Sequence, residues 1–243
     1  MNVGFYSAAS GMQAFQQKLD VTANNMANIN TTGYKQMNAS FRDLIYTNMN
    51  TKEDGHEVGH GSKVDSVDYV FTQGVLQRTG KNLDFAIAGQ GFFAVDNGGT
   101  EPVYTRDGGF RLSLEGQGTY LTDLNGNYVL DNQGQRIAVN YYPGTNTVNY
   151  SNLTERIGLF TFDNPDGLTP IGGNLLAAGE NTGEAQAVQN HGNNRIYQGV
   201  LEASAADTAT EMVNMIKAQR AFQLNGRMIT TSDQLEEMIN NLR

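Results

Sequence analysis

A short string of two histidines and a glutamate, His56-Glu57-Val58-Gly59-His60, has the clearest potential for chemistry. Zinc peptidases use this spacing on a helix, where both histidines bind the metal and the glutamate activates water. Glycines bracket and interrupt the string here, which disfavours a helix. The remaining histidine, His191, is distant in sequence, so a third ligand would be a carboxylate. A zinc peptidase that uses His56, Glu57 and His60 is therefore an alternative that the sequence disfavours.

Two other strings invite a ligand but fit a turn better. In Asp123-Leu124-Asn125-Gly126-Asn127 the glycine comes at the fourth position of a calcium loop instead of the sixth, and the twelfth position is Gly134 instead of glutamate. Gly89-Gln90-Gly91 is followed by an apolar strand pattern instead of the helix and lysine of a phosphate loop. We predict β-turns at both places, and no catalytic residue, metal ion or cofactor in the chain.

Composition argues against several classes of protein. The chain has 243 residues, a net charge of −9 and no cysteine. Phosphate binding needs a basic surface, so nucleic acid is an improbable partner. Disulfides and thiolate metal sites are excluded. No apolar run is long enough to span a membrane, and Met1-Asn2-Val3-Gly4-Phe5 lacks the basic and apolar regions of a secretory signal. We expect neither membrane insertion nor a cleaved signal peptide.

Two long helices are predicted, one near each end of the sequence. The first has a heptad seam formed by Phe5, Ala8, Met12, Phe15, Leu19, Thr22, Met26 and Ile29. The second has a seam formed by Ala221, Leu224, Met228, Thr231, Leu235, Met238 and Leu242, and a second face formed by Met212, Met215, Phe222 and Ile229. Together these faces are wider than one antiparallel neighbour can bury. We predict packing between subunits, with an ordinary two-helix hairpin as the alternative.

Between the helices the apolar period falls to two. Residues 35–46 are predicted as a short helical connector, and residues 47–61 as a polar loop or extended arm. Turn signals then separate predicted strands at Val67–Phe71, Leu83–Ala88, Phe92–Asp96, Pro102–Arg106, Phe110–Leu114, Tyr120–Asp123, Tyr128–Asp131, Arg136–Asn140, Arg156–Phe162 and Arg195–Leu201.

The predicted fold class is α+β. Residues 1–30 and 204–243 form a coiled-coil-like helical domain, which we interpret as an assembly domain. Residues 31–66 form the connector and arm. Residues 67–203 form an inserted all-β domain of many short antiparallel strands.

Short blocks spread along the chain carry a family resemblance. Asparagines are concentrated in Asn24-Asn25-Met26-Ala27-Asn28, followed by Thr32-Gly33-Tyr34-Lys35, where the glycine ends a helix. Further blocks follow in order: Phe71-Thr72-Gln73-Gly74, Leu83-Asp84-Phe85-Ala86-Ile87, Gly91-Phe92-Phe93, Tyr104-Thr105-Arg106-Asp107-Gly108, Gln198-Gly199-Val200-Leu201-Glu202, Glu211-Met212-Val213 and Gln219-Arg220-Ala221. In this order they resemble the axial family of bacterial flagellar rod and hook proteins.

The resemblance implies a structural subunit that polymerises into a hollow helical shaft and transmits torque from motor to hook. It also implies export through the flagellar channel, a place in the basal body, and three kinds of partner: copies of the chain, other axial proteins and the export apparatus. The blocks at residues 71–74 and 211–219 are most similar to the distal part of the rod, with the proximal rod and the hook as alternatives. Candidate assembly residues are Phe5, Met12, Phe15, Leu19, Asn24, Asn25, Met26, Asn28, Gly33, Tyr34, Met212, Met215, Phe222, Leu224, Met228, Leu235 and Met238.

Overall fold

A computed structural model describes residues 3–49, 56–116, 118–141, 148–150, 152–188 and 194–242. His191 and the tip of the predicted arm, residues 50–55, lie outside these ranges. The chain divides into two compact units. The helical unit comprises residues 1–28, 36–70 and 206–243, and the β unit comprises residues 29–35 and 71–205. Long helices at both ends and many antiparallel strands confirm the α+β class.

In the described residues, the α-helices are α1 (Val3–Ala27), α2 (Leu153–Arg156) and α3 (Thr208–Asn241). The strands of the helical unit are β1 (Met37–Asp43), β2 (Tyr46–Met49), β3 (His56–Gly59) and β4 (Ser62–Tyr69). β1 pairs with β4 and β2 pairs with β3, both antiparallel. In the sequence, the hairpin of β2 and β3 is thus inserted between β1 and β4.

α1 and α3 pack against each other in antiparallel orientation. Asn25 contacts Glu211, and a methyl group placed on Gly11 would lie 3.0 Å from the amide nitrogen of Asn225. Moving 14 residues back along α1 therefore corresponds to moving 14 residues forward along α3. The buried positions of the two helices are mostly small or polar: Ala8, Gly11, Ala14, Thr22 and Asn25 on α1, and Glu211, Ala218 and Ser232 on α3.

The prediction of a helical connector at residues 35–46 is wrong, because β1 occupies this segment. Met37 and Phe41 are spaced as on a helix, but the intervening Ala39 gives the period of two that fits a strand. Met37 pairs with Tyr69 of β4, and Ala39 is buried. The ring of Phe41 lies 5.4 Å from that of Phe15 on α1. Pairing with a distant strand and packing on α1 decide the conformation.

The strands of the β unit are β5 (Leu76–Arg78), β6 (Phe85–Ala88), β7 (Phe92–Asp96), β8 (Val103–Thr105), β9 (Arg111–Glu115), β10 (Gly118–Thr122), β11 (Tyr128–Val129), β12 (Leu159–Thr161), β13 (Thr169–Gly172), β14 (Leu175–Ala177), β15 (Gln186–Ala187), β16 (Arg195–Gln198) and β17 (Val200–Glu202). One sheet has the order β13-β14-β8-β7-β11-β10-β9, with β12 paired to both β7 and β15. Separate antiparallel pairs join β16 to β6 and β17 to β5.

The core of the β unit is densely apolar. Its fully buried side chains include Phe85, Ile87, Phe93, Leu121 and Val129. Strand alternation places these side chains in one cluster, and a second cluster forms around Phe92, Tyr104 and Phe162 on the opposite side of neighbouring strands.

Several predicted strands differ from the structure. Residues 195–201, predicted as one strand, form β16 and β17, which are separated by Gly199. Residues 136–140 form only isolated bridges, at Arg136 and Ala138, although Ile137 and Val139 alternate into the core as expected. Residues 156–162 begin at the end of α2, and β12 covers only residues 159–161. Between them, Gly158 passes so close to the backbone of Asp131 that a methyl group there would lie 2.7 Å from a backbone atom.

The predicted turn at Asp123 is confirmed. The Asp123 carboxylate accepts hydrogen bonds from the backbone N–H groups of Asn125 and Asn127, both at 2.8 Å. Gly126 has a φ of +91°, which a hairpin turn of this kind requires. The oxygen of Asp123 is therefore used to close the turn.

Candidate assembly interface

The histidine string lies on a strand instead of a helix. Its first four residues form β3, and Glu57 pairs with Asn48 of β2. In an extended chain, positions four apart are separated by about 13 Å, so the helical alignment of a zinc peptidase is not formed. Within the described ranges, no group of three or more His, Asp or Glu side chains could hold a metal ion. The zinc peptidase therefore gains no support.

Asn25 joins three elements of the helical unit. Its side chain is 2% exposed. The amide nitrogen donates to the backbone oxygen of Met37 at 2.8 Å and to a carboxylate oxygen of Glu211 at 3.2 Å. The amide oxygen accepts from the backbone N–H of Met37 at 2.9 Å. One side chain thus holds the end of α1, the start of β1 and the first turn of α3 together.

The other asparagines close the end of α1. The side-chain nitrogen of Asn28 donates to the backbone oxygen of Asn24 at 3.0 Å and to its side-chain oxygen at 3.1 Å. The same Asn24 carbonyl also accepts the backbone N–H of Asn28 at 3.2 Å. The Asn28 side chain therefore adds further hydrogen bonds at the end of α1.

A buried ionic cluster centred on Glu202 lies in the β unit. Glu202 is 2% exposed, and its carboxylate contacts Lys35 Nζ at 2.6 Å and Arg106 Nη1 at 3.2 Å. It also accepts the backbone N–H of Gly74 at 2.8 Å. Lys35 and Arg106 donate further to the backbone oxygens of Thr72 and Gly89, at 2.6 and 2.7 Å. The charges are thus removed from water but paired.

Burial controls the electrostatics of this cluster. It lowers the pKa of the Lys35 ammonium from its ordinary value, while the carboxylate of Glu202 acts in the opposite direction. It likewise lowers the pKa of the Arg106 guanidinium, again opposed by Glu202. Because desolvation disfavours both cations, they depend on the carboxylate between them.

The segment that contains Gly33 and Tyr34 is tied to the segment that follows β17. The backbone N–H of Gly33 donates to the oxygen of Glu202 at 2.8 Å, and the N–H of Ala205 donates to the oxygen of Tyr34 at 3.0 Å. Gly33 has a φ of +66°, and a methyl group there would lie 2.5 Å from the backbone carbon of Arg106. Only glycine fits this approach.

Thr32 is held within the β unit by hydrogen bonds to both its side chain and its backbone. Its hydroxyl donates to Asp107 at 2.7 Å, and its backbone oxygen accepts from the side chain of Asn174 at 2.8 Å. Asp107 also accepts the N–H of Gly109 at 3.0 Å. Residues 32–35 are therefore fixed by side chains from distant parts of the sequence.

The apolar candidates on the two helices differ in exposure. On α1 the side chains are half-buried: Phe5, Met12, Phe15, Leu19 and Met26. On α3, two are half-buried, Met215 and Phe222. The rest are exposed: Met212, Leu224, Met228, Leu235 and Met238. The exposed members of α3, together with Val213, Ile216 and Ile239, form the apolar strip of α3, and about half or more of each side chain is open to solvent.

Sequence reasoning did not single out the ionic cluster or Glu211 as functional. Lys35, Arg106 and Glu202 each lie in a block that carried the family resemblance. The presence of charges of opposite sign within these blocks was the signal from which a buried ionic cluster could have been predicted. Their pairing is not visible in sequence, because Lys35 and Glu202 are 167 residues apart.

Within the described ranges, none of the helices has the length and apolar character that crossing a membrane requires. The sequences of the two long helices agree with this finding, because both contain many polar side chains.

Three sequence profiles match the chain. Residues 5–35 match the "Flagella basal body rod protein" family, residues 86–154 match the "Flagellar hook protein FlgE/F/G D1 domain", and residues 197–242 match the "Flagellar basal body rod FlgEFG protein C-terminal" family. Together the matched segments include α1 from residue 5 onward, the whole of α3 and most of the β core. They also include the ionic cluster, except for its contacts near residue 72.

Curated relatives match over nearly the whole chain. The flagellar basal-body rod protein FlgG of Bacillus subtilis is 36% identical over 262 residues, covering 97% of both chains. FlgG of Borreliella burgdorferi is 33% identical over 271 residues, covering 98% of this chain and 97% of the relative. The hook-basal body complex protein FlhP of Bacillus subtilis is 29% identical, covering 98% of both chains. The chain therefore belongs to the FlgE/FlgF/FlgG family of flagellar basal-body rod and hook proteins.

Proposed function

We propose that this chain is a structural subunit of the flagellar rod, with no enzymatic role. The observation that carries the proposal is the apolar strip of α3, which remains exposed although α1 packs along the same helix. Monomeric proteins seldom expose an apolar surface of this extent, and such a surface marks an interaction site. Similarity to rod proteins over nearly the whole length of the chain supports assembly as the purpose of this apolar strip.

In the proposed assembly, the helices of many copies pack around a central channel as a coiled-coil-like layer. The assembly domain is formed by residues 1–30 and 204–243, residues 31–66 form the connector and arm, and residues 67–203 make lateral contacts. Each copy presents one surface to a different surface of the next copy. Such heterologous contacts build an open helical tube, which suits a shaft that transmits torque.

The proposed position is the distal rod, and the similarity to FlgG supports this choice over the proximal rod or the hook. Partners are further copies of the chain, other axial proteins and the flagellar export apparatus. The chain would reach the basal body through the flagellar channel.

A deletion strain tests the proposal. Basal bodies isolated from cells that lack this chain should have truncated rods without hooks when viewed by electron microscopy, and the cells should not swim. A plasmid copy of the chain should restore both. Normal rods and hooks in the deletion strain would contradict the proposal.

A further inference from the structure

The last two turns of α3 extend beyond the start of α1. Because Gly11 lies opposite Asn225 and the helices are antiparallel, Val3 at the start of α1 lies opposite residue 233. Residues 234–241 of α3 therefore run past α1. We call this segment, together with Leu242, the overhang.

The overhang presents an apolar stripe. Its side chains at spacings of three and four are 49–89% exposed: Leu235, Met238, Ile239 and Leu242. This is the spacing with which a helix inserts its anchors into a groove on another surface. Glu236 lies at the edge of the stripe, and Glu237 lies on the opposite side of the helix.

A groove of suitable size lies elsewhere on the same helical unit. Two cavities of about 370 Å³ each are lined by α1 and β4 and share Gln17 and Val64. They follow α1 from Ser10 to Val21, a length of about 17 Å at the helical rise. The stripe of the overhang is about 11 Å long, so it fits within this length.

The chemistry of the groove matches that of the stripe. Its walls combine polar side chains, such as Gln13 and Gln17, with five apolar ones: Ala14, Val21, Leu44, Val64 and Val67. The carboxylate of Asp65 is paired with Arg42 at 2.8 Å, whereas Asp20 is a second carboxylate at the groove and accepts a hydrogen bond from Gln16 at 3.1 Å. Lys63 is exposed at the groove and offers a cation to the acidic edge of the stripe.

The overhang does not reach the groove of its own chain. Position 17 lies opposite position 219 in the helix pair, and Met238 is 19 residues farther along α3, a distance of roughly 28 Å. An occupant that carries this stripe must come from another copy. A contact of this kind joins two different surfaces, so it repeats from copy to copy.

We propose that the overhang of one copy docks in the groove between α1 and β4 of the next copy. This inference rests on the proposed function, because it specifies one contact through which copies of the chain assemble. It assigns the stripe to a site on the helical unit, instead of to a bundle formed by α3 alone.

Chemical cross-linking tests the contact. The chain has no cysteine, so Gln17→Cys and Met238→Cys together introduce the only thiols. A short bis-maleimide should convert the purified double variant at high concentration into a ladder of dimers, trimers and longer species on a denaturing gel. The matched control combines Gln17→Cys with Glu237→Cys, which lies about 100° away around the helix. It should give at least fivefold less cross-linked product.

The result is decisive in either direction. A ladder for the first pair and little product for the control supports docking in the groove. No ladder, or equal product from both pairs, overturns it. Failure here leaves the rod assignment intact, because that assignment is tested separately by the rods of the deletion strain. Conversely, normal rods in that strain together with a ladder would refute the rod assignment and keep the contact.

Discussion

The β unit and the helical unit differ in how much of their apolar surface is buried within the chain. In the β unit, Phe85, Ile87 and Phe93 are fully enclosed by neighbouring strands. In the helical unit, the fully buried positions of α1 and α3 are occupied by small or polar side chains, while Leu224 and Met228 remain exposed. The β unit therefore contains its own source of stability, whereas the helical unit keeps much of its apolar surface for other molecules.

The polar groups of the two units show the same contrast. The β unit buries an ionic cluster, in which Glu202 pairs with both Lys35 and Arg106. The helical unit relies on one amide, Asn25, to join three elements. Removing a charge should therefore harm the β unit most, and removing exposed apolar groups should harm assembly without harming the fold.

Glu202→Gln should have the largest effect on the free energy of unfolding. It leaves two buried cations without a counter-charge, which costs about 3–5 kcal/mol. Denaturant titration measures the loss. Glu115→Gln is the matched control, since its ion pair with Arg136 is 3.8 Å long and both side chains are about half exposed. The hydrogen bond from Tyr128 to Glu115 can be kept by the glutamine oxygen, so the variant should cost about 0–1 kcal/mol. Equal costs for both variants would show that burial of the cluster has no special weight.

Gly33→Ala should be the next most damaging change. The added methyl group would meet the backbone of Arg106, and φ is +66°, so we expect a loss of about 3 kcal/mol in thermal or denaturant unfolding. Gly80→Ala separates the two causes, because φ there is +71° but no atom lies within 4 Å of the new methyl group. It should cost about 1 kcal/mol. If both variants lose the same amount, the close approach at residue 33 is unimportant.

Leu224→Ser combined with Met228→Ser should change unfolding of the isolated subunit by about 0.5 kcal/mol or less. Both side chains are exposed on α3, so little is lost within the chain. Assembly should nevertheless fail, which sedimentation of the purified chain and swimming of the complemented deletion strain both measure. Unimpaired assembly by this variant would show that the apolar strip has another use.

Asp207→Asn should have the smallest effect, which is present near neutral pH and disappears in acid. Asp207 caps α3, and hydrogen bonds from Thr210 hold the pKa of its carboxyl below the ordinary value. A depressed pKa stabilises the fold above the unfolded value, near 4, and this contribution is lost as pH falls through the folded value. Stability of the parent chain should thus fall more steeply than that of the variant below about pH 4. Parallel pH profiles would contradict this role.

The long helices could be predicted because their apolar spacing is sustained over many turns. β1 was predicted as helix because Met37 and Phe41 satisfy both periods, and only pairing with β4 decides between them. The predicted seam of α3 includes Leu224 and Met228, which are exposed, whereas Ala218 is buried against α1. A small residue allows close approach but gives no apolar signal. The partners of Glu202 come from distant loops, so no local pattern announces them.

The paired segments around Gly33 and Ala205 have a mechanical consequence. Their two backbone hydrogen bonds, of 2.8 and 3.0 Å, lie beside the ionic contact of Lys35 with Glu202. A force applied along these segments would load both hydrogen bonds at the same time, so the two bonds would resist it together instead of breaking one after another. A ribbon of two chains also twists less readily than a single strand. Within the β unit, residues 33–35 and 202–205 are therefore expected to resist separation as one paired segment.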